Sequence, residues 1–298
     1  MIIEELLQAL ATLESVRTER SFIEINLARL FVAYVLGTTW HDKFIALGTN
    51  PDSWMLNAND AWLAAHPVAV PDLRRITYSY RMVRLSDALF TLLGKVDGFE
   101  LLRQRFLKFG NPRAPFTEAE IASLLAHNGC GVRIIGESGV RGADFDMLAT
   151  VRGLDVSVEV TEVIETELKV SSLLNKLNGK RNQVPANRPA VLYVLVPNRW
   201  MKNRTVAFLV INQAITRFMR GSRRFNAVIF VWEEVRAAPG GGVLERFLQP
   251  VYNNRPRWPI KDITAFGMKK DRWGSRRYTN SLLDALRTLR LRQQIEGK

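Results

Sequence analysis

Gly142-Ala143-Asp144-Phe145-Asp146-Met147-Leu148-Ala149-Thr150-Val151-Arg152-Gly153-Leu154-Asp155-Val156-Ser157-Val158-Glu159-Val160-Thr161 is the stretch on which the reading of this chain turns. Its hydropathy has a period of two on both sides of a Gly turn, the pattern of a β-hairpin. Asp144 opens the first strand, and Phe145, Met147 and Ala149 alternate with Asp146, Leu148 and Thr150. After Arg152-Gly153 the return strand, 154–160, puts Val156, Val158 and Val160 on one face and Asp155, Ser157, Glu159 and Thr161 on the other. Carboxylates gathered at one edge of a hairpin repel each other unless a proton or cation lies between them, and oxygen-only ligands suit Mg²⁺ or Mn²⁺.

Working outward, 117–126 reads as a helix opened by a capping box of Thr117 and Glu120 and closed by Gly129 and Gly131, followed by a strand over 132–135. Beyond the hairpin, 165–181 reads as an amphipathic helix with Leu168, Leu173, Leu174 and Leu177 toward a core. The almost wholly apolar segment 190–196 has the character of a central strand covered on both faces. A helix over 205–220 and a second apolar strand over 227–232 complete an α/β order.

These residues in this order resemble the PD-(D/E)xK, or restriction-endonuclease-like, superfamily, over about 117–235. The resemblance implies an αβββαβ core in which Asp144 and Glu159 bind a divalent metal, Mg²⁺ or Mn²⁺, with Asp146 adding an outer-sphere contact. It also implies a Lys two residues after the Glu, to orient or activate the attacking water. Thr161 occupies that position here, and Ala143 replaces the family's Pro. Lys176 and Lys180, four apart on the next helix, are the candidates to supply the missing cation, with Gln183 just beyond. Lys169 is expected at the helix start pointing outward, Glu162 to face away from Glu159, Glu120 to serve as a cap and Glu137 as a loop charge. The implied activity is hydrolysis of phosphodiester bonds, in DNA rather than RNA. The rival is a catalytically inactive nuclease fold that binds nucleic acid or acts as an interaction or assembly module, which Thr161 explains directly.

Residues 1–115 carry helical periodicity at 3–15, 22–36, 52–65, 78–93 and 99–109, and Gly110-Asn111-Pro112 with Pro115 marks a linker. Three units are therefore expected: an α-helical domain of unassigned role (1–115), the nuclease-like domain (116–240) and a basic C-terminal extension (241–298), with Gly240-Gly241-Gly242 as a flexible turn. Trp40, Trp54 and Trp62 are expected in the helical core, and Arg74, Arg75, Arg81 and Arg84 as a solubilising basic ridge. The helical unit is a candidate surface for a second copy or a protein partner.

One cysteine, Cys130, excludes a disulfide framework and a cysteine-rich zinc site. His41, His66 and His127 have no metal-ligand spacing, and no phosphate-loop or dinucleotide fingerprint occurs. Glu4, Glu5 and Glu14 interrupt the first segment, which argues against a secretory leader, and the apolar run 23–36 is too short to span a bilayer. A cytoplasmic protein without membrane attachment is expected.

The charge is uneven. Residues 199–298 hold 21 Lys+Arg against 7 Asp+Glu, a net +14, whereas 1–198 hold 21 against 22. A field of that size attracts polyanions in a salt-dependent manner. Arg220, Arg223 and Arg224 cluster after a helix, and Lys269, Lys270, Arg272, Arg276 and Arg277 surround Trp273 and Tyr278. Such interleaving suits phosphate pairing and base stacking, so these residues are the candidate nucleic-acid contacts. A terminal helix over 278–294 presents Leu282, Leu283, Leu286 and Leu289 as a stripe for packing.

Overall fold

The computed structural model describes residues 2–40, 73–108, 112–137, 139–140, 144–163, 167–238, 241–267 and 281–296. Trp54, Trp62, His41, His66 and the cluster Lys269, Lys270, Arg272, Trp273, Arg276, Arg277 and Tyr278 lie outside the described residues, as do the side chains of Arg74 and Arg75.

The element order is α1 (Ile2–Val16), α2 (Arg20–Leu36), α3 (Leu73–Leu92), α4 (Phe99–Lys108), α5 (Arg113–His127), β1 (Gly131–Ile134), β2 (Met147–Val151), β3 (Leu154–Glu162), α6 (Val170–Arg181), β4 (Ala190–Leu195), a 3₁₀ turn (Asn198–Asn203), α7 (Arg204–Gly221), β5 (Phe225–Ala238), β6 (Gly241–Tyr252), a second 3₁₀ turn (Ile263–Phe266) and α8 (Leu282–Glu296). The six strands form one mixed sheet in sequence order. β1, β2 and β3 are antiparallel neighbours, β3–β4 and β4–β5 are parallel, and β6 returns antiparallel on β5. The α/β class is thus that of the sequence reading.

Helices cover both faces of the sheet. On one side a core runs from Leu6 and Leu10 of α1 through Phe31, Met82, Phe106 and Phe116 to Val156, Val158, Tyr193 and Leu286. On the other, Leu173 and Leu177 of α6 and Ile211, Ile215 and Phe218 of α7 pack on Leu148, Leu192, Val228 and Phe230. Because β4 is covered on both sides, all six of its residues are buried, which explains its unbroken apolar run. The hairpin turn needs two residues at positive φ, and Arg152 (49°) and Gly153 (77°) supply them, the backbone signature of a tight two-residue loop matched to strand twist.

Several expectations are corrected. α5 begins at Arg113, so Thr117 lies inside the helix, where its hydroxyl donates to the Arg113 carbonyl at 2.9 Å, and no Thr117–Glu120 capping box opens it. Glu120 instead pairs with Arg84 at 2.6 Å and with Arg246, in the interior between α3, α5 and β6. Arg81 pairs with Glu233 at 2.5 Å, so Arg81 and Arg84 form no surface ridge. α6 starts at Val170 rather than 165, and β5 continues to Ala238. Gly241 and Gly242 pair with Ala238 and Ala237 at the start of β6, so the boundary drawn after residue 240 separates two strands of one hairpin. The leucine stripe of the terminal helix meets α1, α2 and α3. Among the described residues no helix is long and apolar enough to cross a membrane.

Candidate functional site

The strand register decides which acids meet. Met147 is opposite Val158 in the last pair of the β2–β3 ladder, so Asp146 and Glu159 are the next residues of the two strands where pairing ends, and Asp144 lies beyond it. There β2 peels away from β3. The Ile135 N–H still bonds the Asp146 carbonyl at 3.0 Å, and the Asp146 side chain accepts the Val160 N–H at 2.6 Å, replacing the carbonyl the departing strand no longer supplies. Asp144, two residues further out and half-buried, accepts the Gly139 N–H at 3.1 Å.

Glu159 projects from β3 to the α6–α7 side and is 1% exposed. Its Oε1 accepts a charge-assisted hydrogen bond from Lys180 Nζ at 2.6 Å, while its Oε2 is buried with no partner. Lys180 reaches it from the last turn of α6, a helix held down by Leu173 and Leu177. Lys176, one turn earlier and half-buried, makes no ion pair with a described carboxylate. Lys169 is exposed and pairs with Glu167, and Glu162 faces away from Glu159 and pairs with Arg113 at 2.6 Å. Gln183 follows α6, its backbone N–H bonded to the Lys180 carbonyl at 3.1 Å and its side-chain Oε1 buried without a partner.

α5 contributes a third acid that the sequence reading missed. Glu118 is buried and pairs with Arg105 of α4, whose guanidinium also donates to the Ile135 carbonyl and lies 3.9 Å from Asp146. Sequence directed attention to Glu120, but residues two apart on a helix point in nearly opposite directions, and Glu118 is the one turned toward the hairpin. The distinguishing signal, which face of α5 meets β3, is a tertiary fact.

Burial is the largest influence on all three acids. It raises Glu159 to about 8, assisted by Asp146 and Glu118 against Lys180. It raises Glu118 to about 7, assisted by Asp146 against Arg105 and Lys180. Asp146 is also raised by burial and by Glu137, against the Val160 N–H, Arg105 and Lys180. Three carboxylates therefore lie with two cations in a poorly solvated cluster, an arrangement that favours uptake of a proton or a further cation. The unpartnered Glu159 Oε2 and the facing Asp146 supply hard oxygen donors suited to Mg²⁺ or Mn²⁺. Among the described residues no three His, Cys, Asp or Glu side chains converge as a complete ligand group, so a bound ion would draw its other ligands from water or substrate oxygen. Mg²⁺ commonly binds in that way.

The basic candidates that are described lie at the ends of α7 and β6. Arg220 and Arg223 are exposed and line a cavity with Arg255, while Arg224 donates to the Val184 carbonyl at 2.8 Å. No family model matches the chain, and neither a curated protein nor a solved structure matches it.

Proposed function

We propose that this chain is a metal-dependent nuclease that hydrolyses phosphodiester bonds, with DNA favoured over RNA. The observation that carries the reading is Glu159: buried, tied through one oxygen to Lys180, facing Asp146, and with its second oxygen unsatisfied. The order α5–β1–β2–β3–α6–β4 is the αβββαβ order of restriction-endonuclease-like cores, which supports the same reading.

Asp146 and Glu159 are the residues that would hold Mg²⁺, whose contribution when bound is to lower the pKa of water and stabilise charge on a phosphoryl oxygen. Lys180 has two tasks in this scheme. It favours the ionised form of Glu159, opposing the burial that raises the carboxyl, and it keeps a fixed ammonium where negative charge develops at phosphorus, the place Thr161 cannot serve. Arg105 offsets the charge of Glu118 and Asp146, so that the acids can lie close without metal.

A second reading is favoured by Thr161 itself: a nuclease-like fold that binds nucleic acid without cutting it. Metal separates the two. Labelled single- and double-stranded DNA and RNA are incubated with Mg²⁺, Mn²⁺ or EDTA, using the wild-type chain and the Glu159→Ala, Asp146→Asn and Asp144→Asn variants. The nuclease reading expects cleavage only with metal, abolished by Glu159→Ala and Asp146→Asn and merely reduced by Asp144→Asn. Binding that is indifferent to EDTA, with no cleavage under any condition, would establish the second reading.

A further inference from the structure

α7 and the edge strand β6 enclose two adjoining cavities on the sheet face that also carries Glu159. One, of about 600 Å³, is lined by Thr216, Arg220, Arg223, Asn253 and Arg255. The other, of about 560 Å³, is lined by Phe208, Asn212, Phe230 and Gln249, and the two share Val251 and Tyr252. Val251 is in register with Val228, Leu192 and Glu159 across β5, β4 and β3. At ~4.8 Å per strand the shared wall is therefore about 14 Å from the acids.

The first cavity has an uncompensated charge. The buried arginines Arg81, Arg84, Arg105, Arg113 and Arg246 are matched to carboxylates, as are Arg287 and Arg290 at Glu14, whereas Arg181 and Arg224 bond only neutral oxygens. No described carboxylate pairs with Arg220, Arg223 or Arg255, and the only side-chain bond within the trio is from Arg223 Nε to the Arg255 carbonyl, at 3.3 Å. Three arginines bordering one cavity without a described counter-charge make it electropositive, and a phosphate, which a planar guanidinium binds through two parallel hydrogen bonds, suits such a site.

The second cavity supplies what a phosphate alone would not need. Phe208 offers an aromatic wall, and Asn212 and Gln249 place two carboxamides suited to a base edge beside it, the Gln249 amide also donating one N–H to the Pro250 carbonyl at 3.4 Å. A base can occupy such a pocket only when unstacked and unpaired, which a single strand permits and a duplex does not. We propose that the groove between α7 and β6 is an anchoring site for single-stranded nucleic acid, with a backbone phosphate on Arg220, Arg223 and Arg255 and the adjoining base against Phe208, Asn212 and Gln249. The assignment rests on nucleic acid being the partner, as in the proposed function, but not on its hydrolysis.

Fluorescence anisotropy in EDTA, with a labelled 12-nucleotide single strand and the corresponding duplex, tests the site without cleavage. The single strand is expected to bind more tightly than the duplex. Arg220→Glu with Arg223→Glu should weaken it at least ten-fold and make the log–log salt dependence shallower by about 0.7, the loss of the one phosphate contact the site makes. Asn212→Ala with Gln249→Ala should weaken it roughly five-fold, the low end for a lost base-edge contact, without changing the salt slope. As a measurement independent of mutant folding, a 5-iodouracil-substituted strand should cross-link the wild-type chain at α7 or β6. Unchanged affinity in both double variants, cross-links confined to other elements, or equal displacement of the strand by polyglutamate or by a free nucleoside monophosphate would each overturn the assignment. Cleavage that persists with groove variants binding normally removes the groove and leaves the nuclease. Groove-dependent binding without cleavage does the reverse.

Discussion

Glu118 and Glu120 are separated by one residue on α5, yet one joins the acids at the hairpin and the other an ion-pair network in the helical layer. The same distinction governs the lysines of α6: Lys176 and Lys180 are equivalent by helical spacing, but only Lys180 pairs with Glu159. Lys180→Met is therefore expected to reduce kcat for phosphodiester cleavage by about 10²–10³, comparable to losing one charge-stabilising donor. The Kd for nucleic acid in EDTA should change little, and Lys176→Met should leave both within about two-fold. Parallel losses in the two variants would mean that this ion pair has no special part in the chemistry. The helix bearing both lysines was legible in the sequence because leucines at 173, 174 and 177 repeat at helical spacing. The carboxylate that meets β3 beside Glu159 was not. The resemblance points to Asp144, whereas Asp146, the first residue beyond the last β2–β3 pair, is the one whose side chain bonds β3, and where that pairing ends depends on the turn and the neighbouring β1.

At the scale of elements, helices whose apolar residues recur at helical spacing, and strands with apolar residues on alternate positions or throughout, were readable from the chain alone. β6 was not, because Gly241 and Gly242 suggest a turn and Pro250 weakens a strand reading. As an edge strand β6 tolerates both, since only one of its sides must pair. α8 was visible as a leucine stripe, but its docking depends on a buried acid no pattern identifies. Asp87 of α3 accepts the Leu282 N–H at 2.9 Å, satisfying one of the unpaired donors at the start of α8. Burial raises Asp87 to about 7, helped by Glu24 and Asp284 and opposed by the Leu282 N–H and Arg20. A carboxyl raised in the folded state stabilises the fold fully below its unfolded value, near 3.8, and this contribution is lost as pH rises through about 7. Asp87→Asn keeps an oxygen for Leu282 and removes the buried charge. Melting curves should show its Tm above wild type at pH 8, the difference narrowing as pH falls and closing only near pH 4. A constant difference across that range would mean that Asp87 does not titrate in this window.

Over the whole molecule, the N-terminal helices and the sheet share one apolar core and one chain of buried charges. Arg81 of α3 meets Glu233 of β5, Arg246 of β6 meets both Glu233 and Glu120, and Arg84 meets Glu120 from the other side. Burial pushes the Glu233 carboxyl up, but Arg81, Arg84 and Arg113 outweigh it and hold it below the ordinary range. Such a network adds less to stability than its short contacts suggest, because desolvating the ions costs nearly as much as pairing returns. Its breakage is different: Arg246→Met strands two carboxylates at once, although each keeps one arginine. The expected loss is about 3 kcal/mol, the low end for a broken buried pair. Because the network links α3 and α5 to β5 and β6, that loss should fall on the helical and sheet layers together. Urea unfolding followed by tryptophan fluorescence, with Trp40 in the helical layer and Trp200 and Trp232 on the far side of the sheet, should therefore shift to a lower midpoint coincident with that from far-UV circular dichroism. Two separated transitions, only one of them moved by the substitution, would show that the helical unit expected over 1–115 unfolds independently despite its shared core.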